Sequence, residues 1–210
     1  MTTERRTLMD LAYEERSDLA RYLATLTPQQ WHAPSLCAGW TVKDVVAHIV
    51  SYEDLRFWGL LRRFAKGRVV RANEVGVEEL AHMTPDELMG FLNEHLRPRG
   101  LTAAFGGMIG LVDGTIHHQD IRRALGHPRA VPTDRLTRIL PLIPSNPRLG
   151  AGRRIRGLRL RAVDVDWQHG TGPEVVGTGE ALLMAMSGRR QVVGELEGDG
   201  AEILAERLHD

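Results

Sequence analysis

The stretch GLVDGTIHHQDIRRALG, Gly110 to Gly126, carries two adjacent histidines with an aspartate on either side. Its apolar residues recur at helical spacing, and Gly126 with Pro128 behind it forms a stop signal. The reading is a helix from about Phe105 to Leu125. On such a helix Asp113 lies four residues before His117, so both side chains share a face about one turn apart. Asp120, three residues after His117, is roughly on the same side. His118 is turned by about 100° and does not join them. Two readings stay open at this point: a solvated helix with ordinary ion pairs, or half of a metal site.

Working outward, the N-terminal sequence supplies the partners that such a helix needs. Leu8, Leu11, Ala12, Leu19, Tyr22 and Leu23 form one apolar stripe, predicting a helix from about Glu4 to Leu26. SLCAGW, Ser35–Trp40, reads as a loop. Thr41 with Asp44 three residues on is a capping-box signal, so a second helix begins at Val42. Val45, Val46, Ile49, Val50, Leu55 and Leu60 supply its apolar face. Thr84 and Pro85 open a third helix, as N-cap and first helical residue. Four helices with modest connections predict an antiparallel bundle.

His48 sits in VVAHI, on the apolar part of the second helix, where an imidazole is costly without a partner. Facing helices of a bundle can build a metal site from inward histidines and carboxylates. His48, Asp113 and His117 would leave an open coordination position, as catalytic zinc requires. The same set suits iron(II). The residues alone leave the plainer alternative standing, a hydrogen-bonded core histidine beside a surface Asp–His pair.

The composition bounds the rest. The chain has 210 residues, 42% hydrophobic and 26% charged, with 27 basic and 27 acidic side chains. That balance gives no basic excess for nucleic acid. Lys43 and Lys66 are the only lysines, which reads as a coding bias toward arginine. Cys37 is the single cysteine, so no intramolecular disulfide forms and a reducing compartment is favoured. The charged N-terminus is unlike a secretory signal, and no apolar run reaches a membrane span. A cytoplasmic protein is expected, without nucleic-acid or membrane partners.

Near residue 150 the pattern changes. Residues 127–153 contain five prolines and read as a linker with one short helix around Asp134 to Leu140. Leu158, Leu160 and Ala162 alternate with arginines, as on a half-buried strand, and the phase slips into Val163, Val165 and Trp167. HGTGPE is a turn, VVG a short strand, and TGEALLMAMSG a helix capped by Thr178 and ended by Gly188. QVVGELEGDGAEIL reads as a hairpin. The expected fold class is α+β, with a helical bundle at residues 1–150 and a small α+β domain at 151–210.

SLCAGWTVKDVVAHI followed by DGTIHHQDIRRALG resembles the mycothiol-dependent maleylpyruvate isomerase family, itself similar to DinB-like metal-binding bundles. The matching residues are Gly39, Trp40, Thr41 and His48, then Asp113, His117, Asp120, Ile121 and Arg122. The tail from Leu158 resembles that family's small sterol-carrier-like domain. One departure is Asp113, where many relatives carry glutamate. The resemblance implies a divalent metal, zinc above others, held by His48, Asp113 and His117, with Asp120 and Arg122 behind the ligands. It implies mycothiol as cosubstrate, in an isomerase or a thiol transferase of actinobacterial type. Cys37 lies just before the His48 helix and reads either as packing for Trp40 or as a thiol near the site. Trp31 and Trp40 read as core or loop anchors. Arg153, Arg154, Arg156, Arg159 and Arg161 read as a solvated strand face, with a hold on a sugar-thiol or carboxylate as the second reading. Two other function classes remain: a non-catalytic metal- or ligand-binding module, and a lipid carrier using the C-terminal domain. The chain is expected to be a monomer or homodimer.

Overall fold

The computed structural model describes residues 6–55, 59, 61–63, 65 and 71–208. Contacts divide the chain into two compact units, Met1–Pro128 and Arg129–Asp210. The division falls at Pro128, earlier than the expected boundary at residue 150. The proline-rich stretch folds with the second unit, where Leu136, Ile139, Leu140 and Ile143 are buried.

In the first unit one local motif sets four helix starts. Helices α1 (Leu8–Leu23), α2 (Pro28–Trp31), α3 (Val42–Val50) and α5 (Pro85–Glu94) each follow a threonine N-cap: Thr7, Thr27, Thr41 and Thr84. Each threonine oxygen accepts from the N3 amide, and the N3 side chain (Asp10, Gln30, Asp44 or Glu87) accepts from the cap amide. The expected start at Glu4 lies outside the described residues. The second helix begins where its capping signal placed it but stops at Val50. Leu55 therefore lies beyond it, and Leu60 falls outside the described residues. Helices α2 and α4 (Ala72–Leu80) were not foreseen, because neither carries a long apolar stripe.

Helix α6 (Met108–Ala124) carries the histidine pair. It starts three residues later than expected. Phe105 and Gly106 both have positive φ, and Gly107 takes φ 92° as its N-cap. A Cβ on Gly107 would stand 2.7 Å from the Met9 Cα, so the position needs glycine to let α6 meet α1. At the other end Gly126 is left-handed, and the His127 amide donates to Arg122 O, closing the helix as the Gly–Pro signal implied.

Helices α1, α3, α5 and α6 pack pairwise into the four-helix bundle. Leu19 and Leu23 of α1, Val45, Val46 and Ile49 of α3, Leu88 and Leu92 of α5, and Ile121 of α6 share one core. Buried polar pairs interrupt it. Arg16 donates to Glu53 Oε1 at 2.6 Å and to His95 O at 2.7 Å. Glu53 also accepts from Thr102 Oγ1 and the Arg99 amide. Glu15 meets His118 Nδ1 at 2.8 Å, with both side chains buried.

The second unit holds α7 (Thr133–Ile139), which meets the expectation of a short helix, α8 (Ala151–Arg154), and a three-stranded sheet. Strand β1 (Arg159–Ala162) is central, antiparallel to β2 (Gln168–His169) and parallel to β3 (Glu174–Gly177). The expected continuation through Val163 and Trp167 is a bend, with Val163 exposed. Helix α9 (Gly179–Met186) has Thr178 as N-cap. The tail is not a hairpin: Arg190–Glu195 is a 3₁₀ segment and α10 (Gly200–Arg207) is a helix. Only Val176 and Glu197 form a bridge there among the described residues. A Cβ at Gly200 would lie 2.7 Å from Pro173 O, so the helix start docks against the turn before β3.

Candidate metal centre

The loop Ser35–Trp40 fixes the geometry. The Ser35 amide and hydroxyl both donate to Trp40 O, and the Trp40 amide donates to Cys37 O. Gly39 takes φ 78° inside this turn. The Leu36 amide donates to Asp120 O at 3.2 Å, tying the loop to α6. Thr41 then starts α3, and two turns later His48 points into the bundle, 3% exposed.

Three side chains converge there. His48 Nε2 lies 3.4 Å from Asp113 Oδ1, and His117 Nε2 lies 3.5 Å from the same oxygen. The two imidazole centroids are 4.7 Å apart and nearly perpendicular. Four ligands at ~2.1 Å around a tetrahedral ion stand roughly 3.4 Å from one another, so this spacing matches one ion. Trp40 covers the group, 5.2 Å from the His48 ring and 6.5 Å from His117. The Tyr52 ring stands edge-on to His48 at 6.2 Å. The Asp113 side chain keeps 34% exposure, so the site opens on its carboxylate side.

Behind His117, its Nδ1 meets Asp120 Oδ2 at 2.9 Å, and the Asp120 side chain is fully buried. Cys37 Sγ donates to the same Oδ2 at 3.1 Å and lies 3.5 Å from His117 Nδ1. A second potential ligand group, Cys37, His117 and Asp120, therefore sits back to back with the first.

The donor set fits a cation. To donate to Asp120, His117 must carry its proton on Nδ1. Its Nε2 then turns a lone pair toward Asp113 Oδ1, another acceptor. The two require positive charge between them, either a second proton or a metal ion. In the metal-free protein burial works against charge on both groups, and their mutual attraction prevails. Burial pushes the Asp113 carboxyl up, but the charges of His48 and His117 hold it well below its ordinary 3.8. Burial pushes His117 down, but the Asp113 charge, helped by contacts to Asp113, Asp120 and Cys37, raises it well above 6.5.

His48, Asp113 and His117 are thus brought together, and Asp120 lies directly behind His117. Cys37 is near the site, on the Asp120 side and not among the three front ligands. Arg122 is a correction: its Nε donates to His127 O, and its guanidinium lies 4.2 Å over the Tyr22 ring. Two residues beyond Asp120, it faces another side of α6. Trp40, read as an anchor, also walls the histidines. His118 stays outside the site, in its pair with Glu15. The arginines after residue 150 do not form one face. Arg154 turns inward to Leu149 O and Met186 O, while Arg159 and Arg161 stand beside Glu174. The apolar run of α9, from Ala181 to Met186, is entirely core.

Comparison with known proteins adds the lineage. Residues 12–99 match the family model of the mycothiol maleylpyruvate isomerase N-terminal domain. This segment includes His48 and ends before α6. No curated protein matches the sequence. The chain is similar to a crystal structure of the mycothiol-dependent maleylpyruvate isomerase, with TM-score 0.61 and 15% identity over 92% of each chain. A structure of a histidine-to-alanine mutant of the mycothiol-dependent maleylpyruvate isomerase gives TM-score 0.62 and 14% identity, again over 92% of each chain. Residues 12–99 of the first unit therefore match the mycothiol maleylpyruvate isomerase N-terminal domain family, and the chain as a whole has the fold of that isomerase.

Proposed function

We propose that the protein is a metal-dependent enzyme that uses a low-molecular-weight thiol, mycothiol, in isomerisation or thiol transfer. The observation that carries this is the convergence of His48, Asp113 and His117 at ligand spacing around one point, beneath Trp40. These three would hold the ion: two imidazoles and a carboxylate suit zinc, the metal the resemblance implies, and also iron(II). A divalent ion held there would supply the charge that favours the thiolate of a thiol with pKa ~8.5 at neutral pH.

The chain's own residues do the remaining work. Asp120 holds the His117 proton on Nδ1, which would leave the Nε2 lone pair for the ion. Trp40 excludes water from the histidine side. The open Asp113 side admits thiol and electrophile. The thiolate sulfur's pair forms a bond to an unsaturated carbon, and the π pair of the double bond that opens moves onto the conjugated carbonyl as an enolate. Rotation about the resulting single bond, then loss of the thiolate, gives cis–trans isomerisation. Protonation of the adduct instead leaves a stable conjugate. A cytoplasmic location belongs to the same proposal.

The test is elemental analysis of untagged protein beside a His48→Ala/His117→Ala variant, followed by mycothiol-dependent turnover of maleylpyruvate and of a model electrophile. Near one zinc per chain, lost in the variant, with thiol-dependent turnover supports the reading. Absence of metal after zinc is supplied and the excess removed overturns it.

A further inference from the structure

We propose that His117 carries a second cation position on its other nitrogen, a thiophilic site made by Cys37 Sγ, His117 Nδ1 and Asp120 Oδ2. The three atoms already lie 2.9, 3.1 and 3.5 Å apart. A tetrahedral ion with one sulfur at ~2.3 Å and two lighter ligands near ~2.1 Å needs edges of roughly 3.4–3.6 Å. The Cys37–His117 edge meets this, and the two Asp120 edges must open by about half an ångström. A thiolate and a carboxylate together neutralise a dication, which suits the burial of Asp120 and His117. Cys37 is only partly buried, so the position has a solvent side for entry and for a fourth ligand. Soft ions select it, because it offers a sulfur that the front group lacks.

The two positions compete. A neutral imidazole has one lone pair. An ion on Nε2 places the ring proton on Nδ1, where Asp120 accepts it. An ion on Nδ1 moves the proton to Nε2, where Asp113 accepts it and the front group loses a ligand. A soft cation behind His117 therefore disables the front site. The back position stands on its own three ligands, and only the competition rests on the proposed function.

Cadmium titration of the reduced full-length protein tests this, read by the thiolate-to-cadmium charge-transfer band and by the dissociation constant. The band should saturate at one ion per chain and persist in His48→Ala, which removes a front ligand only. Asp120→Asn keeps the thiol and should weaken cadmium about 10-fold or more, comparable to losing a strong supporting contact. Cys37→Ser, at a partly exposed position, should weaken cadmium similarly and show no band. Far-ultraviolet circular dichroism confirms that each variant is folded. Three outcomes overturn the proposal: no band in the wild type, unchanged cadmium affinity in folded Asp120→Asn or Cys37→Ser, or loss of the band in folded His48→Ala. Failure of the front site alone leaves the band in His48→Ala intact, which separates the two results.

Discussion

One carboxylate oxygen of Asp120 receives both the Nδ1 proton of His117 at 2.9 Å and the thiol of Cys37 at 3.1 Å. The orientation of a metal-binding imidazole thus depends on a fully buried acid that the loop before α3 also grips. Outer-shell carboxylates of this kind fix ring tautomer and raise ligand basicity. Asp120→Asn should weaken zinc at the front site about 10- to 100-fold while leaving helical content unchanged. Competition titration against a fluorescent chelator gives the answer, and an unaltered zinc affinity would show that Asp120 does not orient His117.

Removing metal exposes the Asp113–His117 pair to titration. His117 is raised above 6.5, so its contribution to stability is complete below that value and fades as pH rises through the folded value. Asp113 is lowered below 3.8, so its contribution is complete above that value and fades as pH falls toward the folded value. Between about pH 4 and 6.5 both terms are present. In chelator, wild type should exceed Asp113→Asn in stability most within that window, and the gap should narrow at alkaline pH. Urea midpoints across a pH series measure it; a gap that widens above neutrality contradicts the assignment.

The same proton has a second consequence. Because the Asp113 charge raises His117, zinc binding to the metal-free protein should release a proton and weaken as pH falls. Calorimetry in buffers of different ionisation enthalpy counts it. Release of no proton at pH 7 would mean that the metal-free histidine is neutral.

The Arg16–Glu53 pair is buried on both sides, at 1% and 0% exposure. Removing one partner strands the other charge, which costs about 3–5 kcal/mol. Arg16→Met should destabilise the protein by that order in urea denaturation. The double variant Arg16→Met/Glu53→Leu should recover part of the loss, and no recovery would place the cost in packing instead.

Much of this centre was legible before any coordinates. The i, i+4 spacing of Asp113 and His117 and the apolar setting of His48 are local facts, and the Thr41–Asp44 box fixed the phase of α3. The approach of Cys37 to Asp120 was not legible, because it depends on the Leu36–Asp120 backbone bond across the fold. Arg122 was placed behind the ligands by the resemblance, but helix geometry turns it away from Asp120, toward Tyr22 and His127. Glu15 and Arg16 fill the gap in the α1 stripe between Ala12 and Leu19, a signal that two charged side chains were going inside. The C-terminal hairpin failed for another reason: short valine runs between glycines fit a strand or a tight helical turn equally well.

Adjacent imidazoles on α6 reach opposite neighbours, His117 toward His48 of α3 and His118 toward Glu15 of α1. The pair works as a two-toothed key. A slip of α6 by one residue in either direction would put one histidine in the other's place, filling one lock and leaving the other to Ile116 or Gln119. Register therefore rests on the flanking acids, since either slip would carry Asp113 away from His48 and Asp120 away from Cys37.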